Sequence, residues 1–157
     1  MARKKESTNP WLFNGKPFEL EDKTLAGFVY IIRHKASGKQ YIGKKSFWMM
    51  RTPPGKKRKQ KMESDWKNYW SSSYTINAIV KEQGEDAFER HILALCKEER
   101  MMNYLEVKYQ FSLGCIEDSS KWLNDNIAGR WYPYLYGKHL IDSSVEFSPA
   151  APELLSW

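Results

Sequence analysis

The strongest constraint in this 157-residue chain is a pair of short β-prone runs joined by a tight turn. Phe28-Val29-Tyr30-Ile31-Ile32 is rich in β-branched and aromatic residues and too short for a helix. Ala36-Ser37-Gly38-Lys39 supplies turn residues, and Tyr41-Ile42-Gly43 begins a second run. Together they predict a β-hairpin. Directly opposed residues in a hairpin share a constant index sum, so an odd sum puts Tyr30 and Tyr41 on one face. With Gly43 opposite Tyr30, the two phenols become diagonal neighbours about 7 Å apart. Gly43 has no side chain and leaves room above the sheet for a phosphate or a water. Two tyrosines on a strand are most often packing residues, so the pair alone assigns no chemistry.

The remaining elements follow from periodicity. Residues 1–24 read as a lead-in whose Trp11, Leu12, Phe13 and Phe18 dock on the body, with a turn at Asn14-Gly15-Lys16-Pro17. Pro53-Pro54-Gly55 stops regular structure, and a loop is expected to run on to Met62. Trp66–Trp70 suggests a helical turn capped at Ser64 or Asp65, and Ser71-Ser72-Ser73 break it. Tyr74–Gln83 reads as a helix stopped by Gly84, with Ile76, Ile79 and Val80 at helical spacing. Phe88–Cys96 alternates as a third strand, with Phe88, Arg90, Ile92 and Ala94 on one face. Lys97 to about Leu113 is the clearest helix, with Met102, Leu105, Tyr109 and Leu113 as its apolar stripe. The expected fold is a small α+β domain: a three-stranded antiparallel sheet, the hairpin plus a third strand, flanked by helices. The expected organisation is lead-in 1–24, domain 25–130 with a basic insertion 51–62, and irregular tail 131–157.

Composition matters for what it excludes. At 41% hydrophobic and 28% charged the chain is an ordinary globular protein, which excludes collagen-like, mucin-like and wholly disordered classes. It contains no apolar run long enough to span a membrane, and its basic start runs into Ser-Thr-Asn-Pro rather than a secretory core. Cys96 and Cys115 are too few for a disulfide scaffold, so a reducing cytoplasm is expected. The charge is local. Lys44, Lys45, Arg51, Lys56, Lys57, Arg58, Lys59 and Lys61 fall in one span without an acid; removing these eight from a net charge of +6 leaves −2. A concentrated basic segment attracts phosphate, although a solvated linker would look the same.

Gly27-Phe28-Val29-Tyr30, the short turn and Tyr41-Ile42-Gly43-Lys44 resemble the paired signature of the GIY-YIG nucleases, with Phe-Val-Tyr in place of the first tripeptide. Trp66–Ser73, Gly84–Leu93 and Leu105-Glu106 extend the resemblance in order over residues 11 to 131, and the start is similar to small phage-encoded, homing-type endonucleases. The resemblance implies hydrolysis of a DNA phosphodiester, the DNA expected to be double-stranded, with one Mg²⁺ or Mn²⁺. It implies Tyr30 and Tyr41 at the attacking water, one of them as general base; Tyr41 is preferred, which leaves Tyr30 positioning water or phosphate, with Lys44 lowering the barrier to phenolate formation and Glu106 as the sole protein ligand of the metal. A lone carboxylate suits Mg²⁺, which keeps most of its waters.

By the same resemblance Arg51 holds the scissile phosphate, with Arg58 and Lys67 as alternatives because prolines interrupt the expected helix. Tyr69 replaces a residue missing one turn after that arginine, and Asn124, preferred over Asn126, fills the asparagine position. Lys45, Lys56, Lys57, Arg58, Lys59, Lys61 and Lys67 are the expected nucleic-acid contacts. Trp66 and Trp70 are expected in the core, and His34, His91 and His139 form no metal motif. A non-catalytic nucleic-acid-binding protein of the same fold is the alternative, and monomer and dimer both stay open.

Overall fold

The structure, a computed structural model, describes residues 5–127 and 144–156. In chain order the strands are β1 (Leu12–Phe13), β2 (Lys16–Pro17), β3 (Gly27–His34), β4 (Gln40–Ser46), β5 (Trp48–Arg51), β6 (Gln60–Glu63), β7 (Phe88–Cys96) and β8 (Val145–Phe147). The α-helices are α1 (Tyr74–Gln83), α2 (Glu99–Ser112) and α3 (Ala151–Leu155), with 3₁₀ turns at Trp66–Asn68 and Glu85–Ala87.

The predicted three-strand antiparallel core is present, in the order β7-β3-β4, but the sheet is larger and mixed. It has six strands in the order β2-β1-β7-β3-β4, with β8 also on β7, and β1 runs parallel to β7. The lead-in therefore contributes strands as well as packing. Asn14 and Gly15, both at positive φ (51° and 74°), make the tight β1–β2 turn. No helix among the described residues is long and apolar enough to cross a membrane.

β3 is an interior strand, between β7 and β4, and is buried on both faces, which explains its unbroken apolar run. One face carries Phe28, Tyr30 and Ile32 with Trp11, Phe47, Trp66, Trp70 and Ile76; the other carries Val29, Ile31 and Ile42 under Met101, Met102, Leu105 and Leu154. Trp66 and Trp70 are core residues, as expected. The β3–β4 register pairs Tyr30 with Gly43, an odd sum.

Three expectations are corrected. The alternation of β7 breaks at a bulge: Val29 pairs with Ala94 but Tyr30 with Ile92, so Ala94 leaves the Phe88 face and Leu95 joins it. The basic segment is a two-stranded antiparallel hairpin, β5–β6, with its prolines and Lys56, Lys57, Arg58 and Lys59 in the tip and Lys61 on β6. The tail is not wholly irregular: β8 extends the sheet and α3 buries Ala151 and Leu154. Residues 131–143, with His139, lie outside the described residues. The helical turn after Ser64 is a single 3₁₀ turn whose N-cap, Asp65, makes no side-chain capping bond. α1 matches its expected bounds, and Ser73 caps it by accepting from the Ile76 N–H.

Candidate active site

β4 is the edge strand beside α2, and its outward-facing backbone groups organise the site. Gln40 is met by backbone: its N–H donates to Lys121 and its carbonyl accepts from Leu123. At Ile42 side chains take over. Asn124 Oδ1 accepts from the Ile42 N–H (3.0 Å), while Asn124 Nδ2 (2.8 Å) and Gln110 Nε2 (3.0 Å) donate to its carbonyl. An amide side chain thus imitates a neighbouring strand and closes the edge. Two residues further, the Lys44 N–H donates to the Glu106 carboxylate. Edge pairing therefore ends in the group that chemistry would use.

The register brings the phenols together. Tyr30 and Tyr41 stack with ring centroids 6.3 Å apart and an interplanar angle of 25°. A Cβ on Gly43 would lie 2.6 Å from Tyr30 Cζ and 2.9 Å from Tyr41 Cε1, so only glycine leaves this space open. Tyr69 meets Tyr30 edge-on at 6.3 Å and shares a hydrogen bond with its hydroxyl. Ser71 adopts a positive φ of 73°, an uncommon backbone for serine. Ser72 follows it, and the Ser72 hydroxyl reaches both Tyr41 (3.5 Å) and Tyr69.

Tyr30, Tyr41, Gly43, Lys44, Tyr69, Ser72, Glu106, Gln110 and Asn126 line one open cavity of about 340 Å³. Tyr30 is sealed at 1% exposure, and burial raises its phenol well above the ordinary value. Tyr41 is half-buried; burial raises it too, while the Ser72 hydroxyl acts the other way. Burial likewise raises Glu106, opposed by the Lys44 charge and backbone N–H. Lys44 Nζ is itself held by Asn103 Oδ1 on α2. A half-buried carboxylate facing an open cavity is a place where a cation offsets lost hydration. Among the described residues no three His, Cys, Asp or Glu side chains cluster around a metal position. The fit is to an ion retaining its waters: a hexahydrate at about 30 Å³ per water needs roughly 180 Å³.

Tyr30, Tyr41, Lys44, Tyr69 and Glu106 are thus brought together, and other expected residues are not. Arg51 stands exposed on β5, opposite Gln60, and does not line the cavity, because its strand turns out into the separate hairpin. Arg58 is exposed near the tip of that hairpin. Lys67 is ion-paired with Glu6 (3.0 Å) and Glu19 (3.9 Å), and these partners raise its pKa. Lys45 is engaged by Asp65 (2.8 Å) and lies 4.1 Å over the Tyr69 ring. Asn124 is buried in the β4 edge, and Asn126 is the asparagine at the cavity.

Sequence reasoning misses three residues. Gln110 lies one turn beyond Glu106, and a glutamine at that spacing on an apolar-flanked helix is the available signal. Ser72 reads in the sequence only as a helix breaker. Arg90 is fully buried between Trp11 (4.6 Å) and Trp70 (4.2 Å) and donates to the carbonyls of Tyr69 (2.9 Å), Lys67 (3.1 Å) and Asn9. It fixes the segment that carries Tyr69, and burial lowers its pKa to about 10. His34 is held by Ser37 and Gln83, and His91 by Glu89, away from the cavity.

No curated protein and no solved structure matches the chain. The family described as "Putative endonuclease segE, GIY-YIG domain" matches residues 11–127, the span that holds β1 to α2 and every residue lining the cavity. The chain belongs to this GIY-YIG nuclease family.

Proposed function

We propose that the chain is an endonuclease that hydrolyses phosphodiester bonds of double-stranded DNA, with Glu106 holding one divalent cation, Mg²⁺ or Mn²⁺. The observation that carries this is the convergence of two phenols, a lysine and a half-buried carboxylate on one water-accessible cavity. A binding module gains nothing from a carboxylate beside a phosphate site, since the two repel unless a cation stands between them. The finer assignment to a small phage-type homing enzyme rests on the resemblance of the sequence alone.

The chemistry divides among the residues. When bound, the cation polarises the phosphate and acidifies water. Tyr41, the phenol open to the cavity, acts as phenolate and takes a proton from the attacking water as the water oxygen bonds to phosphorus; the bond to the leaving oxygen breaks, and that oxygen keeps the electron pair and takes a proton from solvent. Burial holds the phenol above its ordinary value, the Ser72 hydroxyl acts the other way, and a cation held by Glu106 would favour the phenolate. Tyr30, sealed and tied to Tyr69, orients rather than exchanges protons. Lys44 offsets charge developing on the phosphate oxygens.

Supercoiled plasmid incubated with the protein and Mg²⁺ tests this. Wild type is expected to nick or linearise it, and Tyr41→Phe to bind normally but cut about 10²–10⁴-fold more slowly. Wild-type binding without cutting in Mg²⁺ or Mn²⁺ would instead favour the non-catalytic binder.

A further inference from the structure

β5 and β6 pair only with each other among the described residues. Near its root the ribbon is anchored on one face. Trp48 donates from its indole N–H to the Leu25 carbonyl (2.8 Å), and Lys61 lies 4.8 Å over the Trp48 ring. Strand alternation puts Met50, Lys61 and Glu63 on the Trp48 side. The opposite face carries two cross-strand pairs, Met49 with Met62 and Arg51 with Gln60. All four are exposed, and the side chains of Arg51 and Gln60 make no hydrogen bond or ion pair among the described residues. Beyond them the tip presents Lys56, Lys57, Arg58 and Lys59.

We propose that this ribbon enters the major groove of duplex DNA and that Arg51 and Gln60 read base edges there, so that the displaced arginine sets specificity instead of chemistry. The inference rests on the DNA substrate proposed above. Charge complementarity commits the surface to DNA: the ribbon from Trp48 to Glu63 carries six cations and one acid, Glu63, which lies on the Trp48 side, away from Arg51 and Gln60. A two-stranded ribbon fits a major groove about 12 Å wide. Side chains on one face of a strand repeat about every 6.7 Å, close to two base-pair steps, so the Met49–Met62 and Arg51–Gln60 pairs address different base pairs. Arginine matches guanine O6 and N7 with two hydrogen bonds, and glutamine matches adenine N6 and N7. The methionines supply apolar contact for a thymine methyl. The four tip cations contact phosphate and fix register without reading sequence.

The test selects bound duplexes from a pool with 20 randomised base pairs, in EDTA so that cutting plays no part. Wild type is expected to enrich a preferred site. Arg51→Ala and Gln60→Ala are each expected to relax one or two positions of that site and weaken binding to it on the order of tenfold, with an unchanged salt slope. Replacing the four tip cations by alanine is expected to weaken all sequences alike and flatten the salt slope. Wild-type binding without preference, or a preference that both single variants leave intact, overturns the inference while leaving plasmid cleavage untouched. A ribbon-dependent preference in a protein that cuts nothing upholds it and removes the nuclease reading.

Discussion

β3–β4 and β5–β6 are both antiparallel hairpins, they follow one another across the single buried residue Phe47, and they differ in almost everything else. β3 lies inside the sheet, between β7 and β4, with apolar cover on both faces, and β4 is closed along its outer edge by backbone, Asn124, Gln110 and Glu106. β5–β6 has no such cover; every residue of β6 is exposed. An isolated two-stranded hairpin is marginally stable in water. The first hairpin is thus suited to holding its side chains in fixed positions, and the second to changing shape. Neighbouring segments of one motif have been given over to rigidity and to reach.

The largest effect that would break this contrast comes from a single methyl group. Gly43→Ala drives a Cβ into the Tyr30 ring, which is sealed and cannot yield. The expected result is a loss of about 1–3 kcal/mol in urea unfolding and about 10²-fold in cleavage rate. An unchanged rate would show that the phenols are not held by this register. A smaller effect, of opposite kind, comes from the ribbon. Replacing Lys56, Lys57, Arg58 and Lys59 by alanine should leave the unfolding free energy within about 0.5 kcal/mol of wild type. DNA binding should weaken, and its log–log salt slope should flatten by about one for each phosphate that the variant no longer neutralises. A stability loss like that of Gly43→Ala would mean that the ribbon belongs to the core.

The same contrast governs what the sequence reveals. The register of β3–β4 is legible because one glycine and two tyrosines restrict the pairing, and α1 because its stop and its apolar spacing agree. The ribbon is not legible. Pro53-Pro54-Gly55 and the lysines signal a loop, and the pairing of Trp48–Arg51 with Gln60–Glu63 lacks the apolar alternation that marks a buried strand. Arg51 follows: its spacing from Tyr41 suits the resemblance, but its strand leaves the site. Asn124 and Asn126 exchange places because only the closed edge of β4 shows which amide is needed as backbone partner. The β7 bulge is invisible because Leu93, Ala94 and Leu95 are all apolar and suit either face.

The smallest effect lies in the buttress behind the rigid hairpin. Glu85 accepts hydrogen bonds from Ser7, Thr8 and Trp70, which hold its carboxyl below its usual value despite partial burial. A depressed folded pKa contributes stability above the unfolded value, near 4.5, and loses it as pH falls through the folded pKa. Thermal unfolding of Glu85→Gln should therefore lie below wild type at pH 7 and converge with it in acid. Parallel curves over that range would remove Glu85 from the clamp on the lead-in.

The most direct measurement compares Glu106→Gln with wild type on one duplex in Mg²⁺, reading binding and single-turnover cleavage in parallel. The account predicts binding within about threefold of wild type and cleavage slower by about 10³-fold or more. Cleavage at the wild-type rate would show that the cavity shared by Tyr30, Tyr41, Lys44 and Glu106 is not where the phosphodiester is cut.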